Sequence, residues 1–413
     1  WCQPRESVLS NRVVIVGAGH AAGQLATSLA QREYDGPIML VGNEAYLPYQ
    51  RPPLSKKFLA GEMDVERLYV RPESFYEEAK IELRLETHID SLDREAKCVQ
   101  TDTGESIAYD KLVLALGSRV RRVRVDGTDL EGVHYLRSIE DVTAIREDFG
   151  TGARGVVIGA GYIGLEVAAV ARQADLDVTV LEIADRVMSR VVSAEISDFY
   201  QIEHTNQGVK LRLATGVKSI NGKKRVKSVT TSEGDEIAAD VVVIGVGIVP
   251  NTELATAADL EVDDGIVVDE RCVTSDPDIY AVGDCTLHPN AIFDRKLRLE
   301  SVHNAVEQAK TAAANLCGMD ERYCEVPWFW SDQYDLKLQI AGLSDGYDDV
   351  VIRGNPAERS FSCIYLREER IIAVDAINAP RDFVHSKQLI ALQARVDTSR
   401  LADADIELRS LAV

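Results

Sequence analysis

The sequence predicts an α/β chain in which two doubly wound, parallel-sheet units are followed by a smaller α+β domain on an antiparallel sheet. Three observations carry the prediction. A strand, a glycine-rich turn, a helix and a second strand occur in that order twice. Each copy is closed further on by an acidic residue, an apolar run and a glycine. From about Val326 the apolar residues change from continuous runs to alternation.

In chain order, RVVIVG (Arg12 to Gly17) has four consecutive apolar residues ending in glycine, the pattern of a strand buried on both faces. GAGHAAG follows, then helix-compatible residues from Ala21 to Gln31 and a second buried strand at Ile38 to Val41. LPYQRPPLSK, from Leu47 to Lys56, holds three prolines in ten residues and predicts a stiff, non-helical loop that presents Arg51 and Lys56. DKLVLALG (Asp110 to Gly117) closes the first copy. The second runs from Gly155 to Glu182, GVVIGAGYIGLEVAAVARQADLDVTVLE, and is closed by DVVVIGVG (Asp240 to Gly247). DIYAVGDC (Asp278 to Cys285) predicts a short buried strand ending at Gly283 and Asp284.

In the last part, LKLQIAG, DVVIRG and SFSCIYLREERIIAVDAIN alternate as an antiparallel sheet with one wet face, and an amphipathic helix is predicted from about Phe383 to Arg395. Trp328, Phe329 and Trp330 open that domain, with Trp328 and Phe329 expected in its core.

A lone glycine-rich turn is weak evidence for a nucleotide site, but two copies in strand–turn–helix context are strong. The first glycine permits the tight turn, and the second lets backbone approach a pyrophosphate. The helix N-terminus then offers unpaired N–H groups to that anion. The second copy has the complete GxGxxG at Gly159, Gly161 and Gly164; in the first, Ala22 stands where the third glycine would be. Glu182 ends the second copy's second strand, where a carboxylate accepts from the ribose hydroxyls of NAD and repels a 2′-phosphate, which favours NADH over NADPH, although Arg186 and Arg190 lie nearby and could receive such a phosphate. In the first copy the corresponding position is Asn43 or Glu44.

With 413 residues the chain exceeds what one core usually holds, and at 46% hydrophobic and 27% charged it has a globular composition. The longest apolar runs, such as Val241 to Val249, fall short of the roughly 20 residues a bilayer needs. No signal-peptide order is expected; the chain opens on Trp1 rather than Met, and residues 1–10 are set aside from fold reasoning. Seven cysteines (Cys2, Cys98, Cys272, Cys285, Cys317, Cys324, Cys363) form no CxxC pair and no zinc spacing, so neither thiol chemistry nor a metal centre is expected and a reducing cytoplasm fits best. A formal net charge of −21 argues against nucleic acid and anionic membranes as partners. Two local basic clusters survive that argument, Arg119, Arg121, Arg122 and Arg124, and Arg295, Lys296 and Arg298.

GAGHAAG, LPYQRPPLSK, LALGS, GAGYIGLE, YAVGDC, ESVHNAVEQA and PWFWSDQYDLKLQIAG occur in an order that resembles the putidaredoxin reductase-like family, from about Asn11 to about Arg400. That family comprises FAD-containing, NADH-dependent reductases that feed [2Fe-2S] ferredoxins of cytochrome P450 and Rieske dioxygenase systems. The resemblance implies a glutathione reductase-like fold, with two Rossmann-type dinucleotide-binding domains plus a C-terminal α+β domain. Residues 11–121 and 250–325 would form the FAD-binding domain, 122–249 the NADH-binding domain and 326–413 the last.

Residue by residue, it implies that Gly17, Gly19, Ala21 and Ala22 hold the FAD pyrophosphate, with Asn43 or Glu44 at the ribose and the Ile89 backbone beside adenine. Arg51 would meet a FAD phosphate or ribose, Arg137 the flavin nucleotide and Asp284 its ribityl or phosphate end. Val302, opening the helix of SVHNAVEQA, would offer its backbone N–H to the flavin pyrimidine. Gly159, Gly161, Ile163, Gly164 and Glu182 would cradle NADH, with Gly247 near the nicotinamide end.

The same resemblance places Lys56 beside the flavin N5 and O4 edge, with Glu166 of GYIGLE as its partner; a nearby carboxylate favours the charged amine that burial disfavours. Trp330 would lie between flavin and the ferredoxin-docking face, and the two basic clusters are candidates for binding an acidic ferredoxin. The oligomeric state is left open. Two other readings use the same fold: an NADH-dependent reductase of a small molecule, and a redox-dependent interaction protein resembling apoptosis-inducing factor.

Overall fold

The computed structural model describes residues 11–412. By contact the chain divides into two compact units, one made of the chain up to Gln50 with Glu66–Arg119 and Val249–Pro327, the other of Arg51–Val65, Val120–Ile248 and the chain from Trp328 onward. Arg51–Val65, expected within the FAD-binding domain, packs in the second unit, and so does the C-terminal sheet.

The first unit is built on five parallel strands in the order Ile279–Ala281, Lys111–Leu114, Val13–Val16, Ile38–Val41, Ile81–Arg84. Val13–Val16 is buried along its whole length because both faces of the sheet are covered. On one side, the small residues Ala21, Ala22 and Ala26 of the helix His20–Gln31 share a core with Ala305, Ala309, Ala312 and Ala313 of the helix Val302–Leu316, which lets the two backbones approach closely. On the other side Ile89, Val99, Ile107 and Leu260 fill the core against Val14 and Leu112.

The second unit repeats the arrangement in the order Lys210–Arg212, Asp177–Leu181, Arg154–Ile158, Val241–Ile244, Val133–Tyr135, again parallel. Its last part is an antiparallel sheet ordered Trp328–Gln333, Leu336–Gly342, Arg370–Ile377, Ser360–Arg367, Asp349–Asn355. The expected wet face is absent from two of its three inner strands: all but the first residue of Arg370–Ile377, and all but the two ends of Ser360–Arg367, are buried. One face carries the helix Pro380–Ala391 through Phe383, Leu389 and Ile390, and the other meets the parallel-sheet part of the same unit, where Phe361 packs on Phe199 at 5.1 Å and the Tyr365 hydroxyl accepts from the Ser193 amide at 3.1 Å.

Three further expectations are corrected. The C-terminal helix starts at Pro380, whose missing N–H is no loss at a first helical position, and ends before Gln393, which takes a left-handed φ of 50°. Pro52–Ser55 is a short 3-10 helix, not a non-helical loop: prolines at its start forfeit no internal bond, and Arg51 adopts φ −78°, ψ −30° despite preceding a proline. Trp328 and Phe329 are half-buried, on an edge strand of their sheet.

The inner strands also bury Asp375, at 2% exposure, which accepts from the Tyr365 hydroxyl at 2.5 Å. Burial pushes this carboxyl up to about 7, opposed by the Tyr365 bond. With the folded value above the unfolded one of about 4, the stability it contributes is fully present below about pH 4 and lost as pH rises through about 7, at up to about 1.4 kcal/mol per pH unit. Asp375→Asn removes that dependence, so the denaturant midpoint of the variant relative to the unsubstituted protein is expected to rise between pH 5 and pH 8. A difference constant with pH would show that Asp375 does not titrate there.

Candidate active site

The two glycine-rich turns are built alike. Gly17 and Gly159 have φ of +116° and +102°, and a Cβ on either would meet a carbonyl oxygen of the neighbouring strand's exit, Ala115 at 2.2 Å and Gly245 at 2.4 Å. Gly19 and Gly161 cap the following helices with no side-chain hydrogen bond, and a Cβ on either meets nothing within 4 Å. The first intrahelical bonds run from the Gly23 amide to Gly19 and from the Leu165 amide to Gly161, so the amides of residues 20–22 and 162–164 stand ahead of the helical ladder. Open space over unladdered amides is what a pyrophosphate needs. In the first turn the half-buried His20 adds a buried Nδ1 without a partner, and burial lowers its pKa while Asp284 raises it. These residues fit a dinucleotide in each unit.

The third glycine position differs for a steric reason. A Cβ at Gly164 would lie 2.0 Å from the Gly159 carbonyl oxygen. The first copy carries that methyl at Ala22, fully buried in the core shared with the helix Val302–Leu316.

Strand register also corrects which residue of the first copy stands level with Glu182. Val16 pairs with Val41 and Ile158 with Leu181, so the residue matching Glu182 is Gly42, one and two places before Asn43 and Glu44. A Cβ at Gly42 would meet the Ala18 Cβ at 2.3 Å, which leaves no room for an acid there. Asn43 is exposed, and Glu44 accepts from the Tyr49 hydroxyl at 2.5 Å. Glu182 accepts from the Ala160 amide at 2.6 Å and the Ala184 amide at 2.9 Å, which ties it to the turn it serves. Arg186 is committed to the Val192 and Ser189 carbonyls and to Ser197 Oγ.

In the first unit, Asp284 accepts from Ser118 Oγ at 2.8 Å. Gln308, which sequence reasoning missed, accepts from the Gly283 amide at 2.7 Å and Thr286 Oγ1 at 3.0 Å, so the helix Val302–Leu316 fixes the turn bearing Asp284. Val302 is the first residue of that helix, capped by Ser301. Ile89 is buried, which leaves only its backbone for a ligand. Cys285 is fully buried, burial raises it to about 11, and no disulfide forms among the described residues. Cys2 lies outside them.

In the second unit, Lys56 Nζ lies 2.7 Å from Glu166 Oε2, with the carboxylate 3% exposed and the lysine side chain 15%. Lys56 ends the 3-10 helix Pro52–Ser55 and Glu166 stands in the first turns of Tyr162–Gln173, so a stiff turn and a helix each hold one partner. Ser55 and Ser331, also missed by sequence reasoning, donate to the same carboxylate at 2.5 Å and 2.6 Å. Arg51 donates to the Arg137 carbonyl at 2.5 Å. Ile163 is 40% exposed at the second turn, and Gly247 has φ +102° with Arg190 nearby. Trp330 is half-buried, 5.5 Å from Trp328 and 6.4 Å from Phe329 between ring centres.

The basic clusters are partly neutralised from within. Arg119 pairs with Glu253 at 2.6 Å, and Arg298 pairs with Asp264 and Glu300. Among the described residues no helix is long and apolar enough to cross a membrane, and no cluster of metal-ligating side chains occurs.

Residues 11–309 match the pyridine nucleotide-disulphide oxidoreductase family and residues 328–412 the reductase C-terminal family. Rhodocoxin reductase of Rhodococcus erythropolis is 44% identical, covering 96% of this chain and 93% of that protein. Putidaredoxin reductase CamA of Pseudomonas putida is 42% identical, covering 97% of each. Among solved structures, the covalent putidaredoxin reductase–putidaredoxin complex superposes with a TM-score of 0.95 at 42% identity, covering 97% of this chain and 98% of that one. The chain belongs to the pyridine nucleotide-disulphide oxidoreductase family, in its putidaredoxin reductase-like branch.

Proposed function

We propose that the protein is an NADH-dependent, FAD-containing ferredoxin reductase serving an oxygenase. The observation that carries the reading is the pair of open, amide-lined glycine turns, one in each unit, together with a lysine held by a buried carboxylate. Bound FAD supplies the conversion of a two-electron hydride donor to a one-electron carrier. Gly17, Gly19, Ala21 and Ala22 would hold its pyrophosphate, with Asn43 or Glu44, Asp284 and the backbones of Ile89 and Val302 as candidates along its length, and Arg51 and Arg137 as candidates for the flavin nucleotide. Gly159, Gly161, Ile163, Gly164 and Gly247 hold NADH.

NADH is favoured over NADPH because Glu182 is anchored at the turn and Arg186 is occupied by its own loop. Lys56, oriented by Glu166, would supply a fixed positive charge to polarise the flavin. Trp330 is proposed to line the exit toward the ferredoxin. A cytoplasmic setting suits the supply of NADH and the free thiols of the described cysteines.

The test is anaerobic addition of NADH to the flavin-loaded protein, followed by cytochrome c reduction with and without a [2Fe-2S] ferredoxin. Bleaching of the flavin and cytochrome c reduction that depends on the ferredoxin are expected. Turnover without any iron–sulfur protein would favour a small-molecule reductase. Slow bleaching with a long-lived charge-transfer band would favour an interaction protein whose partners change on reduction.

A further inference from the structure

The Glu166 carboxylate ends a chain of hydrogen bonds whose protons can be placed one by one. A carboxylate only accepts, so Ser331 Oγ, 2.6 Å from Oε1, commits its proton there. Ser331 Oγ must then accept from Gln333, which puts the amide nitrogen at 3.1 Å and turns the Gln333 carbonyl to the far side. That carbonyl also only accepts, so the proton of His204 is on Nε2, 2.8 Å away. In a neutral imidazole Nδ1 is then bare and accepts from the Tyr334 hydroxyl at 3.2 Å. His204 is fully buried, and burial lowers it to about 4, which keeps it neutral near pH 7. Ser331 and Gln333 are alternate residues of one strand and share a face, at 0% and 1% exposure. Every donor in the chain points the same way, from half-buried Tyr334 to Glu166.

We propose that Tyr334, His204, Gln333 and Ser331 are positioning residues for Lys56, a one-directional hydrogen-bond chain by which the C-terminal sheet holds Glu166 in the rotamer that meets the lysine. The proposal rests on the reading of Lys56 as the group that polarises the flavin. Oε2 is held by Lys56 and Ser55, and without Ser331 Oε1 loses its buried donor. Ser331→Ala leaves the carboxylate and the Gln333 amide each one partner short, which frees Glu166 to rotate.

The experiment uses the flavin-loaded protein and three variants, Ser331→Ala, Tyr334→Phe and Lys56→Ala, with the double variant Ser331→Ala/Lys56→Ala. Two readouts are taken: the labelling rate of Lys56 by an amine reagent, followed by peptide mass spectrometry, and the single-turnover rate of flavin reduction by NADH. Ser331→Ala is expected to raise Lys56 labelling several-fold and to slow reduction about tenfold, roughly the effect of one lost charge-assisted bond. Tyr334→Phe, at the half-exposed far end, is expected to shift both readouts in the same direction by less, and it keeps the test open if Ser331→Ala does not fold. In the Lys56→Ala background Ser331→Ala is expected to slow reduction no further.

Unchanged labelling in Ser331→Ala, or in Tyr334→Phe when Ser331→Ala does not fold, overturns the chain. Equal slowing by Ser331→Ala in both backgrounds does so too. If Lys56→Ala alone leaves reduction unchanged while labelling still responds, the role of Lys56 falls and the positioning chain stands.

Discussion

Replacing Lys56 with alanine is expected to slow reduction of the bound flavin by NADH on the order of a hundredfold, the scale at which one preorganised charge contributes to a polar transition state. FAD retention is expected to change far less. Lys56 sits after a turn stiffened by Pro52 and Pro53 and donates to Glu166 at 2.7 Å, so its charge is oriented before any ligand arrives. The proposed FAD pyrophosphate site is Gly17, Gly19, Ala21 and Ala22, none of which the substitution touches. Stopped-flow reduction and a flavin-release titration on the same preparation separate the two effects. Equal reduction rates in both proteins would remove Lys56 from the mechanism, and parallel losses of rate and of flavin would make it a cofactor anchor.

The second large effect separates two glycines of one turn. Gly161→Ala is expected to abolish NADH binding while leaving the melting temperature near its original value. Its Cβ meets no protein atom within 4 Å, and its backbone, at φ −78°, suits alanine, so the methyl intrudes only on the space kept for the ligand. Gly164→Ala is expected to do the reverse in part. Its Cβ would come within 2.0 Å of the Gly159 carbonyl oxygen, and relieving that contact displaces the helix Tyr162–Gln173 at a cost of about 1–3 kcal/mol. The melting temperature falls, and the KM for NADH rises about tenfold as the amides move off the anion. Calorimetry and NADH titration of the two variants check this. A destabilised Gly161→Ala with intact NADH binding would contradict the reading of the open space above that residue.

Much of the fold was legible because the signals are local. The run Val13–Val16 and the run Ile38–Val41 form the strands that their unbroken apolar patterns predict, since a strand covered on both faces has no polar position to interrupt it. The helix from Val302 begins at the residue expected, where Ser301 supplies a cap that accepts from the Asn304 amide. The wet face expected along Ser360–Arg367 is absent because alternation there reports side-chain type. What covers the second face comes from Phe199 and Ser193, more than 150 positions earlier in the chain.

The candidate site divides in the same way. Spacing and residue type alone determined the two glycine turns, the acid at Glu182 and the absence of a paired-cysteine motif, because each depends on chemistry within about 25 residues of chain. Lys56 and Glu166 were paired through family resemblance, not through anything local. Only the tertiary structure decided that Gly42, not Asn43 or Glu44, occupies the position of Glu182, since strand register is set by pairing across the sheet. Only it decided that Ser331, Gln333 and His204 reach Glu166, because hydrogen bonds between buried groups far apart in sequence leave no periodicity and no composition to read.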